Sequence, residues 1–126
     1  MRSDDREGGD GMASAFERIY TALQATGYEV AQRPVQGTGD VYLSYFMLSQ
    51  REVMRSDSAT RLITRFQVDI FSRWAAGPEE IGAVRGALRQ AGFAISMVGP
   101  ATYEDDTRWH HLVIECEGRE ALSTGS

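Results

Sequence analysis

The spacing of apolar positions predicts two amphipathic helices and a set of strands. Phe16, Ile19, Tyr20 and Leu23 recur at i, i+3, i+4 and i+7, which places them in one stripe along a helix. Ser14 lies just ahead of that stripe with Glu17 three residues later, the spacing of a capping box, and Gly27 supplies the stop. A second stripe of Ile81, Val84, Leu88 and Ala91 follows Pro78, Glu79 and Glu80 and ends at Gly92. Proline suits a first helical turn because its missing N–H would have had no partner there, and carboxylates interact well with the positive helix terminus.

Elsewhere the period falls to two. Residues 28–33 form a short strand stopped by Pro34, and 36–40, with Gly37 and Gly39, are a flexible connection. Residues 41–53 and 61–74 are long runs rich in β-branched and aromatic residues, separated by the polar stretch 55–60, which predicts a hairpin. A tight turn on Asp57 and Ser58 sets Val53 opposite Leu62, Met47 opposite Val68, Tyr45 opposite Ile70 and Val41 opposite Trp74, with large apolar groups on one face. Arg65, Gln67, Asp69 and Arg73 fall on the other face together with Tyr42, Phe46, Leu48 and Phe71. Four large apolar groups make that second face a candidate contact surface. Residues 93–98 are a strand broken by Gly99 and Pro100, and 104–107 are an acidic turn. The last strand, 109–117, alternates His110, Leu112, Ile114 and Cys116 with His111, Val113, Glu115 and Glu117. Met47, Val68, Ile70, Leu88 and Ile114 are the expected core.

This order implies an α+β fold: an antiparallel sheet of about four to five strands with a long hairpin, and two helices packed on one face. A ferredoxin-like arrangement is the alternative. Residues 1–12 are charged and glycine-rich and are expected to be a disordered arm; 13–118 form a single α+β domain; 119–126 are a flexible tail. A chain of 126 residues accommodates one such domain with a core that needs neither metal nor disulfide.

Charge and chemistry narrow the function by exclusion. The net charge is −5, and the thirteen basic residues, all arginine, are scattered along the sequence, which disfavours tight binding to nucleic-acid phosphates. No apolar run reaches the length of a membrane span and no signal-peptide pattern opens the chain, so a cytoplasmic product is expected. His110 and His111 are adjacent in a strand, point to opposite faces and cannot chelate one metal together. Glu104, Asp105 and Asp106 read as a solvated turn rather than a cation site, and 36–40 lack the third glycine or lysine of a phosphate loop. Cys116, the single cysteine, lies in an apolar strand with no base beside it. The expectation is no catalytic residue, no cofactor, no metal and no enzymatic activity.

The stretch 64–73, reading Thr-Arg-Phe-Gln-Val-Asp-Ile-Phe-Ser-Arg, is followed by a helix with an acidic start, by Ala91-Gly92-Phe93, and by Tyr103-Glu104-Asp105-Asp106-Thr107 with His110 and His111. This succession resembles the small tail-completion proteins of tailed bacteriophages, also called tail terminators or head-to-tail joining proteins, over roughly residues 13–118. The long charged arm and a tryptophan, Trp109, directly before the histidine pair depart from that pattern. The resemblance implies a structural virion protein made in the host cytoplasm, with no active site. It implies a ring, usually a hexamer, at the head-proximal end of the tail that stops growth of the tail tube and joins neck proteins. The partners implied are further copies of the chain, the tail tube protein and head-to-tail connector proteins, with DNA passing through the channel without sequence-specific binding. A closed ring needs two different complementary patches per subunit, and Tyr42, Phe46, Leu48 and Phe71 are the candidates for one of them. A net negative chain also suits a channel through which DNA slides without sticking. Two other functions fit the same fold: a stopper or adaptor in the head-to-tail region, and a small-molecule-binding regulatory domain.

Overall fold

A computed structural model describes residues 13–32, 36–54 and 60–122. Helix α1 (Ala15–Ala25) is followed by strand β1 (Glu29–Val30), the long strands β2 (Val41–Met54) and β3 (Thr60–Ser72), helix α2 (Pro78–Gln90), and strands β4 (Ala94–Glu104) and β5 (Trp109–Ala121). They form a five-stranded sheet in the order β1-β2-β3-β5-β4, in which β1 runs parallel to β2 and all other neighbours are antiparallel. The architecture is α+β with two helices, as the pattern predicts, and the leading helix and strand order are not ferredoxin-like. Among the described residues no helix is long and apolar enough to cross a membrane.

Both helices start and stop where the sequence signals them. Ser14 Oγ accepts from the Glu17 N–H at 3.1 Å while Glu17 Oε1 accepts from the Ser14 N–H at 3.1 Å, so two otherwise orphaned donors are satisfied. Gly27 and Gly92 adopt φ of 84° and 92°, the left-handed conformation in which glycine meets no Cβ clash. At the start of α2 the Glu80 carboxylate accepts from the Gly77 N–H at 2.8 Å and from the Trp74 indole N–H at 3.1 Å. These bonds, the backbone one foremost, hold the Glu80 carboxyl below its ordinary value.

The core lies between the helices and one sheet face. Ile19, Leu23, Val84 and Leu88 from the helices meet Leu43, Phe66, Val68, Ile70, Leu112, Ile114 and Cys116 from the sheet. Phe66 stands at its centre, edge-on to Phe16 at 5.2 Å and to Phe93 at 6.0 Å. Arg18 ties the layers together: Nη1 donates to the Ala91 carbonyl at 2.9 Å, Nη2 to the Arg119 carbonyl at 2.7 Å, and the guanidinium lies 5.1 Å from the Phe93 ring centre. Cys116 is fully buried, which pushes its thiol up to about 12.

Several expectations need correction. Strand β3 pairs with β2 two residues away from the expected register: Tyr45 faces Val68, Met47 faces Phe66, and Val41 faces Ser72. A bulge between Met47 and Ser49 then sets Val53 opposite Arg61 rather than Leu62. Met47, expected in the core, is 44% exposed, because among the described residues β2 has no strand beyond it at that level. Strand β4 continues through Gly99 and Pro100 as far as Glu104, since an edge strand tolerates proline. The last strand runs to Ala121, so ordered pairing extends beyond the expected limit at 118. The arm at 1–12, the turn on Asp57 and Ser58, and tail residues 123–126 lie outside the described residues.

Candidate functional site

Among the described residues the helices cover one face of the sheet, and the other face and the two sheet edges carry no further helix. At one end of the outer face the aromatic residues of three strands stack. Tyr42 lies parallel to Phe71 at 4.8 Å and edge-on to Trp109 at 5.0 Å, and Phe71 stacks on His111 at 4.3 Å. The Arg73 guanidinium covers Trp109 at 3.7 Å, a cation–π contact. Ala31 and the backbone at Gly37 close over this cluster; any side chain at Gly37 would collide with the Tyr42 ring. Tyr42 is therefore 5% exposed and belongs to a small second core, not to an open patch.

The middle of the face is polar. Asp69 is fully buried; its Oδ1 accepts from Gln67 Nε2 at 2.8 Å and from His111 Nε2 at 2.8 Å. A carboxylate only accepts, so Nε2 of His111 carries the proton, while Nδ1 lies 3.5 Å from Glu104 Oε2. Arg65 pairs with Glu115 at 2.6 Å. His110 sits on the helix side against Tyr103, so the two histidines do diverge. Among the described residues no group of three or more His, Cys, Asp or Glu has metal-binding geometry.

Of the four candidate interface residues, the fold brings Tyr42 and Phe71 into the aromatic cluster and leaves Phe46 and Leu48 apart from it. Phe46 is half-buried and Leu48 is 37% exposed at the bulge. The large exposed apolar groups near them come mainly from the other side of β2 and from α1: Met47, Phe16 and Tyr20. Tyr45 lies with these, its phenol pushed above 10.0 by burial and, secondarily, by Tyr20. On the far edge Met97 and Val98 are 40% and 42% exposed. Sequence periodicity assigned these residues to faces but carried no information on which strands end the sheet.

Two concavities mark the surface of the described residues. The larger, about 700 Å³, is an open groove between α1 and α2 lined by small residues including Ala22, Ala25, Ala83, Gly86 and Ala87. The smaller, about 260 Å³, lies beside Tyr103, His110 and Leu112.

No protein-family model and no curated protein matches the sequence. Among solved structures, a chain titled "Virion of native gene transfer agent (GTA) particle" superposes with a TM-score of 0.59 at 13% identity, covering 82% of this chain and 92% of that one. A second solved chain, at 16% identity and a TM-score of 0.48, covers 90% of this chain and all of the other. The first match shows a shared fold.

Proposed function

We propose that the chain is a structural component of a phage-like virion, a tail terminator that forms a ring at the head-proximal end of a tail and joins it to the neck. The observation that carries this reading is the fold held in common, over most of both chains, with a component of a gene transfer agent virion. The succession of residues from Thr64 to His111 supports it. So do apolar groups on two different edges, because ring closure calls for two unlike patches. In this role the protein performs no catalysis and takes no cofactor. Its partners are further copies of itself, the tail tube protein and connector proteins of the neck, with DNA passing through the ring. It resides at the head–tail junction of the particle.

Electron microscopy and sedimentation of the purified chain test this directly. The expected result is a closed ring, a hexamer by the family resemblance, that binds the ends of tail tubes. A chain that stays monomeric and ignores tube ends overturns the reading; one that caps portal-bearing capsids instead is a stopper or adaptor. The groove between α1 and α2 favours one further reading, a small-molecule site, for which a ligand-dependent rise in melting temperature is the signature.

A further inference from the structure

Strand register gathers four arginines that are scattered in the sequence. Ile63 of β3 pairs with Arg51 of β2 on one side and with Arg119 of β5 on the other. Residues two apart in a strand share a face, so Arg61 and Arg65 flank Ile63 along β3. The four nearest neighbours of Ile63 on the face opposite the helices are therefore all arginines. Ile63 itself is 6% exposed, whereas the Arg65 and Arg119 side chains are 40% and 61% exposed and Arg51 is exposed. Glu115 and Glu117 bind Arg65 and Arg119 at 2.6 and 3.6 Å. Among the described residues Arg51 and Arg61 have no ionic partner, so two of the four charges are left uncompensated. The opposite end of the sheet is acidic. Strand β4 ends at Glu104, and Asp105 and Asp106 open the exposed turn into β5. Glu104 accepts from the Thr107 hydroxyl and faces His111, while Asp105 and Asp106 have no ionic partner among the described residues. From Trp109, just past the turn, to Arg119 the strand rises by roughly 33 Å, so the two sets of spare charges cannot meet within one chain.

We propose that the arginine face around Ile63 docks a second copy of this chain, taking the turn at Asp105 and Asp106 of its neighbour. Resting on the ring reading above, this supplies a contact between consecutive subunits. Charge complementarity selects the occupant. The face offers spare guanidinium groups, whose planar fork matches carboxylates, and the chain carries spare carboxylates where only another copy can present them. A duplex is the weaker fit, because a chain of net charge −5 repels phosphates as a whole. The turn and the arginine face are unlike surfaces at opposite ends of the strands, as a head-to-tail contact requires. Because both surfaces are exposed, the pairs between them add direction and specificity to the contact more than raw affinity.

The test uses the full chain with reversed charges, circular dichroism to verify folding and sedimentation to read mass. Arg61→Glu and Asp105→Arg are each expected to weaken assembly about tenfold. A double variant carrying both changes is expected to recover most of that loss, because the reversed charges attract again. If Arg61→Glu fails to fold, the exposed Arg51→Glu serves the same face. Folded single variants that assemble as wild type does, or a double variant that recovers nothing, overturn the docking and leave the ring standing. Duplex DNA that binds wild type and is released by Arg61→Glu, with assembly unchanged, also overturns the docking and assigns the face to phosphates. A wild type that never exceeds monomer overturns the ring reading instead. The docking is then decided separately, with an Arg61→Cys, Asp105→Cys double variant at high protein concentration and a bismaleimide linker much shorter than the span between the two sites of one chain. Covalent multimers that disappear in high salt are expected, since exposed pairs are screened. Their absence, or a yield that salt does not change, overturns the docking.

Discussion

Replacing Phe66 by alanine perturbs the structure at the point where its layers meet. The ring is fully buried and is edge-on to Phe16 at 5.2 Å, Phe93 at 6.0 Å and Tyr45 at 6.3 Å. Truncating a buried phenylalanine costs about 3 to 5 kcal/mol, from lost transfer energy and from the cavity left behind. Each edge-on aromatic contact contributes about 0.5 to 1.5 kcal/mol beyond buried area, although contacts sharing one ring do not add independently. The upper part of the range, about 4 to 5 kcal/mol, is therefore expected, against a total stability of about 5 to 15 kcal/mol for a domain. At about 3 to 5 °C per kcal/mol for a chain of this size, the melting temperature should fall by roughly 12 to 25 °C. Phe66→Leu keeps most of the bulk and should lose only about 1 to 2 kcal/mol. Urea titrations followed by circular dichroism, at concentrations below self-association, measure both variants. A loss under about 1.5 kcal/mol for Phe66→Ala, or equal losses for the two variants, would refute a core organised around this ring.

Gly118 lies under the Phe93 ring, where an added Cβ would sit 2.5 Å from Cε1, so Gly118→Ala should destabilise by about 1 to 3 kcal/mol despite alanine's better backbone entropy; a raised melting temperature would contradict that packing. The Glu80 carboxyl titrates below 4.5 when folded, so its contribution is complete above the unfolded value and is lost as pH falls through the folded one. The stability difference between wild type and Glu80→Gln should accordingly shrink between about pH 6 and pH 3, and a pH-independent difference would show that the bonds to Gly77 and Trp74 do not discriminate the charged form. Cys116, with its thiol near 12, should resist thiol reagents at neutral pH until the protein unfolds; rapid native labelling would place the residue outside the core.

Local chemistry made the helices legible in the sequence: Ser14 with Glu17, Pro78 with Glu79 and Glu80, and the glycines at 27 and 92 each signal a terminus without reference to the rest of the chain. Face assignment along β3 and β5 was equally readable, since a period of two needs only neighbours in sequence. What could not be read is lateral position. Met47 has the parity of a core residue, but only the strand order reveals that no described strand pairs beyond β2 at that level. The bulge at Leu48 leaves no composition signal because neither glycine nor proline stands beside it. Tyr42 has the parity of an outer residue and is buried by a loop whose one clue was Gly37, a glycine that lets the backbone approach the ring. Asp69 was read as one outward charge among several; it is fully buried and bonded to His111, which belongs to a strand distant in sequence.

The two tryptophans divide the molecule into separately observable halves. Trp109 is 2% exposed and locked among Tyr42, Ala31 and the Arg73 guanidinium on the outer face, whereas Trp74 is 46% exposed and tethered through its indole N–H to the start of α2. A soluble collisional quencher therefore reaches Trp74 in the native state and is shut out from Trp109. Single-tryptophan versions, made by Trp74→Phe or Trp109→Phe, would report loosening of the outer aromatic layer and of the helix start as distinct emission changes. The fold thus contains its own pair of optical probes, one for each side of the sheet.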